Sequence, residues 1–217
     1  MKLNANLSRT SRVESATLPW RASPTPGVER RMIERDGDEV ARCTSLVRYA
    51  PDSRFPAHTH GLGEEFIVLE GTFRDEHGAY PTGSYVRNPV GSRHSPFTRE
   101  GCLILVKLRW MHPEDGERVV VDLPARDSAP GETVLHRNAH ECNTVLVAPP
   151  GGGLPARTGD AGEEIYVLDG HFQDSEGEYP AGTWLRRPAR PLPALTTTSG
   201  GRLYRKTGHL RLADASH

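Results

Sequence analysis

The sequence predicts an all-β chain made of two similar domains, and three observations carry that expectation. Gly and Pro are abundant, 22 and 18 of 217 residues, and they punctuate short runs rich in strand formers. Those runs are too short and too regularly interrupted for long helices. The second half of the chain also repeats the first at a fixed offset of 99 residues, as 163 − 64. Glu64-Glu65 recurs as Glu163-Glu164, Val68-Leu69 as Val167-Leu168, Gly71 as Gly170, Tyr80-Pro81 as Tyr179-Pro180 and Pro89 as Pro188. From Pro56 to Pro89 about half the positions are identical without a gap. A repeat of that length is an internal duplication.

In chain order, residues 1–17 are polar and irregular and read as a tail. Trp20, beside Pro19, reads as the anchor of an N-terminal arm. Pro24-Thr25-Pro26-Gly27 turns the chain, and Val28–Ile33 and Val40–Tyr49 read as strands joined across Asp36-Gly37-Asp38. Pro51-Asp52-Ser53 turns into a strand carrying His58 and His60. Phe66–Leu69 and Leu103–Val106 are apolar on both faces, so each is expected to be covered on both sides. The joint lies in the Pro-, Asp- and Gly-rich stretch 111–130. The expected domains are 18–115, the metal-binding one, and 116–217, a degenerate copy without metal.

Composition excludes several classes. The net charge is −1 and the pI about 6.8, which offers no basic surface for nucleic acid or an anionic membrane. No apolar run approaches the roughly 18 residues that span a bilayer, and Met1–Ser8 lacks the apolar core of a signal peptide. Three dispersed cysteines make neither a disulfide framework nor a cysteine-based zinc site, so a reducing cytoplasm is the expected compartment.

The chemistry concentrates in His58, His60, Glu64 and His94. On a strand, two residues two apart share a face, so both imidazoles of His58-Thr59-His60 point the same way. Glu64 follows a tight Gly61/Gly63 turn. Three imidazoles and a carboxylate suit a borderline divalent metal, with zinc, Fe(II), Mn(II) and Ni(II) all open. Glu65, adjacent to Glu64, points the opposite way and is expected in an ion pair. Arg87 and Arg93 are read as solvated or ion-paired.

These residues resemble the two cupin motifs: His58, His60, Glu64 and Gly71 match the first, and Gly83, Pro89, Gly91 and His94 the second. Thr98 stands where the second motif usually has Asn, a position that is not a ligand. The resemblance implies two tandem jelly-roll (double-stranded β-helix) barrels, with the ligands in the mouth of the first. Gly63-Glu64-Glu65, Val68–Gly71, Phe73–Gly78, Asn88-Pro89 and Gly101-Cys102 look like the cupin sensor domain of ChrR-type anti-sigma factors. That resemblance implies zinc on His58, His60, Glu64 and His94, and oxidative-stress sensing. The helical sigma-binding domain of that family has no recognisable counterpart before Val28, so the resemblance does not extend to sigma binding and leaves it open. The alternative is an Fe(II)-dependent dioxygenase, since related stand-alone cupins use a similar ligand set on small molecules.

The copy acts as a control. His58 becomes Arg157, His60 becomes Gly159 and His94 becomes Pro193, while Glu64 is kept as Glu163. Joint loss of three imidazoles on a preserved scaffold fits one shared job. Cys102 is read as a small core residue in preference to a redox reporter. A homodimer is expected, and any small-molecule ligand or regulatory protein partner is unspecified.

Overall fold

The computed structural model describes residues 1–38 and 40–211; residues 212–217, the end of the expected second domain, lie outside it. The polypeptide divides into two compact units. One comprises Met1–Ala5 and Leu18–Leu123, the other Asn6–Thr17 and the chain from Pro124 on. Among the described residues no helix is long and apolar enough to cross a membrane.

In the first unit the main sheet runs, in spatial order, Lys2–Leu3, Val28–Gly37, Ala41–Tyr49, Cys102–Leu108, Glu64–Asp75, Ser84–Asn88 and Val119–Asp122. One inner strand, Glu64–Asp75, is long enough to serve two surfaces. Residues 64–71 pair with Leu108–Cys102, while residues 72–75 turn away to pair with Gly78–Pro81. A bulge between Leu103 and Ile104 and the positive φ of Gly71 (70°) make that bend. A Cβ on Gly71 would lie 2.1 Å from the Gly101 carbonyl oxygen, so the close strand crossing needs glycine there. A short pair, His58–Thr59 with Arg93–His94, places His58 directly opposite His94.

The core between these surfaces holds Val47, Tyr49, Phe66, Val68, Phe73, Tyr80, Val86, Ile104 and Val106, all buried. Ile67 and Leu105, on the other face of the same strands, are buried too, as the two-faced apolar runs predict. Trp20 packs against the guanidinium groups of Arg31 and Arg48, 4.5 and 4.3 Å from its ring centre.

The second unit repeats the inner part of this plan at the 99-residue offset. Glu163–Asp174, Gly177–Pro180, Thr183–Arg187 and Gly201–Thr207 match their counterparts end for end. Gly170 repeats the bend with φ 81°, and Ile165, Val167, Phe172, Tyr179, Leu185 and Leu203 repeat the core. The fold is therefore all-β, two tandem jelly-roll units from an internal duplication.

The expectation for residues 1–17 is corrected. Lys2–Leu3 pairs with Asp36 and Arg35 in the first unit, and Ser11–Glu14 pairs with Arg186–Thr183 in the second. Val119–Asp122, beyond the expected end of the first domain, pairs with Arg87–Ser84 in the first unit. Each is an added edge strand whose backbone groups satisfy an otherwise open sheet edge. Its partner lies far away in sequence, so no local pattern announces it.

Candidate metal centre

His58, His60, Glu64 and His94 are brought together, with one potential ligand atom from each lying within 4.8 Å of all the others. His60, Glu64 and His94 are buried and His58 is half-buried. The imidazole centroids form a near-equilateral triangle of 4.7, 4.8 and 4.9 Å. Three elements supply them: the short strand at His58 with its following turn, the start of the long strand at Glu64, and the Arg93–His94 strand.

The far side of each ring decides which nitrogen faces inward. His58 Nδ1 lies 3.0 Å from the Pro56 carbonyl, which can only accept. His60 Nδ1 lies 2.9 Å from Ser92 Oγ, whose own proton goes to the Pro89 carbonyl at 2.6 Å. His94 Nδ1 lies 3.1 Å from Asp75 Oδ2. All three partners therefore call for Nδ1–H, which leaves the three Nε2 lone pairs facing the centre. His60 Nε2 and His94 Nε2 are buried without a hydrogen-bond partner. They stand 3.6 and 3.4 Å from the same oxygen, Glu64 Oε1. Asn88, directly across the ladder from Glu64, donates to that oxygen at 3.2 Å.

Lone pairs aimed at a carboxylate repel unless a cation sits among them. A tetrahedral metal with bonds near 2.1 Å spaces its ligands about 3.4 Å apart, close to the observed separations, so the residues fit a divalent ion. Burial pushes the His60 imidazolium down to about 4, so this ring is a neutral ligand at ordinary pH. Burial also opposes protonation of His94, but the Asp75 hydrogen bond and the Glu64 charge outweigh it and raise its pKa. A proton on His94 is thus the metal's natural competitor.

Glu65 lies outside the cluster. It accepts a hydrogen bond from Tyr85 at 3.0 Å and sits 3.9 Å from Arg87 Nε. Arg87 is fully buried and pairs with Asp115 at 2.8 Å, whereas Arg93 is exposed. Cys102 is buried, and burial pushes its thiol up to about 12, which suits a core residue and not a reactive thiolate.

The second unit solves the same electrostatic problem with its own side chains. Glu163, at the place of Glu64, is 1% exposed and meets three guanidinium groups. Arg157 bonds both of its carboxylate oxygens, the longer contact being 3.2 Å. Arg187, at the place of Asn88, reaches Oε1 at 2.7 Å, and Arg205, at the place of Val106, reaches Oε2 at 2.8 Å. Asp174, at the place of Asp75, takes Arg187 Nη1 at 2.6 Å. Fixed cations stand there where the first unit offers lone pairs.

The family described as the ChrR cupin-like domain matches residues 8–112 and 131–210. The chain belongs to that family. Among solved structures, this ChrR cupin-like chain resembles protein Ylba from E. coli (16% identity, TM-score 0.72, covering 94% of this chain and 93% of that one). It also resembles the bacterial pirin YhhW from Escherichia coli, solved with nickel(II) (12% identity, TM-score 0.71, 92% and 98%). A third neighbour is a candidate dioxygenase from Nostoc punctiforme (17% identity, TM-score 0.70, 92% and 82%). At these identities the likeness speaks for the fold alone. No curated protein sequence matches the chain.

Sequence reasoning missed the groups behind the four residues of this cupin site, Asp75, Ser92 and Asn88. The offset carried a signal for two of them. Asp75 is kept as Asp174, whereas Asn88 changes to Arg187 along with the histidines. Asp75→Asn removes the charge that orients His94. It is expected to weaken metal binding about 10- to 100-fold while leaving the fold intact, as read by competition against a chromogenic chelator.

Proposed function

We propose that the first unit is a divalent-metal centre held by His58, His60, Glu64 and His94, that zinc is its occupant, and that the second unit carries none. The observation behind this reading is the convergence of three Nε2 lone pairs on one carboxylate, each ring fixed by a separate partner on its far side. In the second unit, Arg157, Arg187 and Arg205 already neutralise Glu163.

Family membership supports a regulatory role in which the metal-loaded cupin responds to oxidative stress. A bound metal would supply a Lewis-acid centre and hold the two strands and the turn that carry the four residues. Peroxide added to the zinc-loaded protein is expected to release zinc, followed with a metallochromic dye, at millimolar oxidant or below. Retention of all the zinc, with the fold unchanged, contradicts the sensing role.

One observation favours a second reading. The raised pKa of buried Cys102 removes the nearest candidate for thiol-based sensing. A redox-active metal on the same four residues would instead make the protein an Fe(II)-dependent dioxygenase; one structural neighbour is described as a candidate dioxygenase. Oxygen uptake by the iron-loaded protein with a panel of diketones, and none by the zinc form, is the result that reading requires.

A further inference from the structure

The duplication exposes a second difference between the units, on the sheet face turned away from the core. There Glu29, Arg48, Leu103 and Glu70 stand side by side across neighbouring strands of the first unit. Trp20, Arg31 and Glu100 join them around a cleft of about 670 Å³. At the 99-residue offset Glu70 becomes Asp169 and Leu103 becomes Arg202, again opposite each other in the ladder.

In the second unit a piece of chain occupies that place. Arg202 Nε holds Asp169 at 2.6 Å, and Arg126 Nε lies 3.8 Å from its other oxygen. Arg202 Nη1 also donates to the Pro124 carbonyl at 2.7 Å. The segment Pro124-Ala125-Arg126 is thus met by a guanidinium at its backbone and by a carboxylate at its arginine.

The cleft of the first unit offers the same two functions unused. Glu70 is exposed, and among the described residues no hydrogen bond or ion pair reaches its carboxylate. Arg31 lies against the Trp20 ring. Its guanidinium makes no hydrogen bond among the described residues, and its Nε is buried without a partner, which is costly unless a ligand brings an acceptor to the group. The other charges of the cleft are already paired, Arg48 with Glu29 and Glu100 with Arg74. Leu103 and the Trp20 indole supply apolar lining.

We propose that this cleft docks an extended, arginine-bearing segment of a protein partner, with Glu70 facing the arginine and Arg31 donating to a backbone carbonyl. Pro124–Arg126 of the copy is the template for that occupant. None of the four metal-centre residues lines the cleft, so the proposal stands independently of the metal-centre reading.

The test follows the Trp20 indole N–H signal by NMR in isotope-labelled full-length protein, the signal being assigned by its absence from Trp20→Phe. The probes are acetyl-Leu-Pro-Ala-Arg-amide, which is the chain's own sequence 123–126 as a free peptide, and its analogue ending in alanine. The arginine peptide is expected to shift the signal saturably and to bind about 3- to 5-fold more tightly than the alanine peptide, the size of one surface ion pair. Glu70→Gln is expected to erase that preference without changing the affinity for the alanine peptide, and Arg31→Gln to weaken both peptides equally. No saturable shift in the wild type overturns the proposal, as does equal affinity for the two peptides. An arginine preference that survives Glu70→Gln also overturns it. So does acetylarginine amide binding as tightly as the tetrapeptide, which would make the cleft a small-cation site.

Discussion

Glu163→Ala is expected to destabilise the second unit by about 3–5 kcal/mol, because it leaves buried guanidinium groups without their counter-charge. Arg187 is fully buried, and Arg157 and Arg205 are largely so. After the substitution, among the described residues, Arg187 keeps Asp174 and Arg205 keeps Glu132 at 3.3 Å, while Arg157 loses its carboxylate. In a unit of about 100 residues that loss lowers the melting temperature by on the order of 15 °C or more. Urea unfolding followed through the fluorescence of buried Trp184 reads it directly, and a loss below about 1 kcal/mol contradicts the account.

The pH dependence has a definite sign. Burial works against ionisation of Glu163, but the Arg157, Arg187 and Arg205 charges outweigh it and hold the carboxyl below its ordinary value. A group with a depressed folded pKa contributes stability above its unfolded pKa, and that stability is lost as pH falls through the folded value. The gap between wild type and Glu163→Ala is therefore full at neutral pH and narrows as pH drops below about 4. Glu64→Ala in metal-free protein removes a carboxylate that faces imidazole rings and the Asn88 amide, with no guanidinium group bonded to it among the described residues, and a far smaller cost is expected there.

The second large effect is on metal content. The double variant His58→Ala/His60→Ala removes two of the four converging side chains but leaves the His94–Asp75 pair in place. Its expected result is loss of essentially all bound metal with retained secondary structure, since two remaining ligands cannot complete a tetrahedral set. His60 contributes a ring kept neutral by burial, so the variant loses a ligand that protons barely contest. The second unit cannot compensate, because Gly159 and Pro193 stand where imidazoles would be needed.

Much of this was legible in the residues, and the reasons are physical. The shared face of His58 and His60 follows from strand periodicity and the place of Glu64 from a glycine turn, both local in sequence, whereas His94 joins them through the resemblance to the second cupin motif. The second unit follows from a gapless repeat, and Arg157 at the site of His58 already announced a fixed cation there. What stayed hidden depends on partners distant in the chain. Ser11–Glu14 is a strand because Thr183–Arg186 offers it an open edge, and nothing near Ser11 says so. The roles of Ser92 and Asn88 appear only once the Pro89 turn and the Glu64 ladder are folded against each other. Arg205 joins the Glu163 cluster from a strand whose first-unit counterpart carries Val106, so neither the histidine motif nor its copy pointed to it.

The most direct test of the metal centre is elemental analysis of the untagged protein, purified with and without oxygen, alongside His58→Ala/His60→Ala. The account predicts about one divalent metal per chain in the wild type and none in the variant, with zinc in both wild-type preparations. Metal-free wild type, or a variant that keeps its metal, would contradict it.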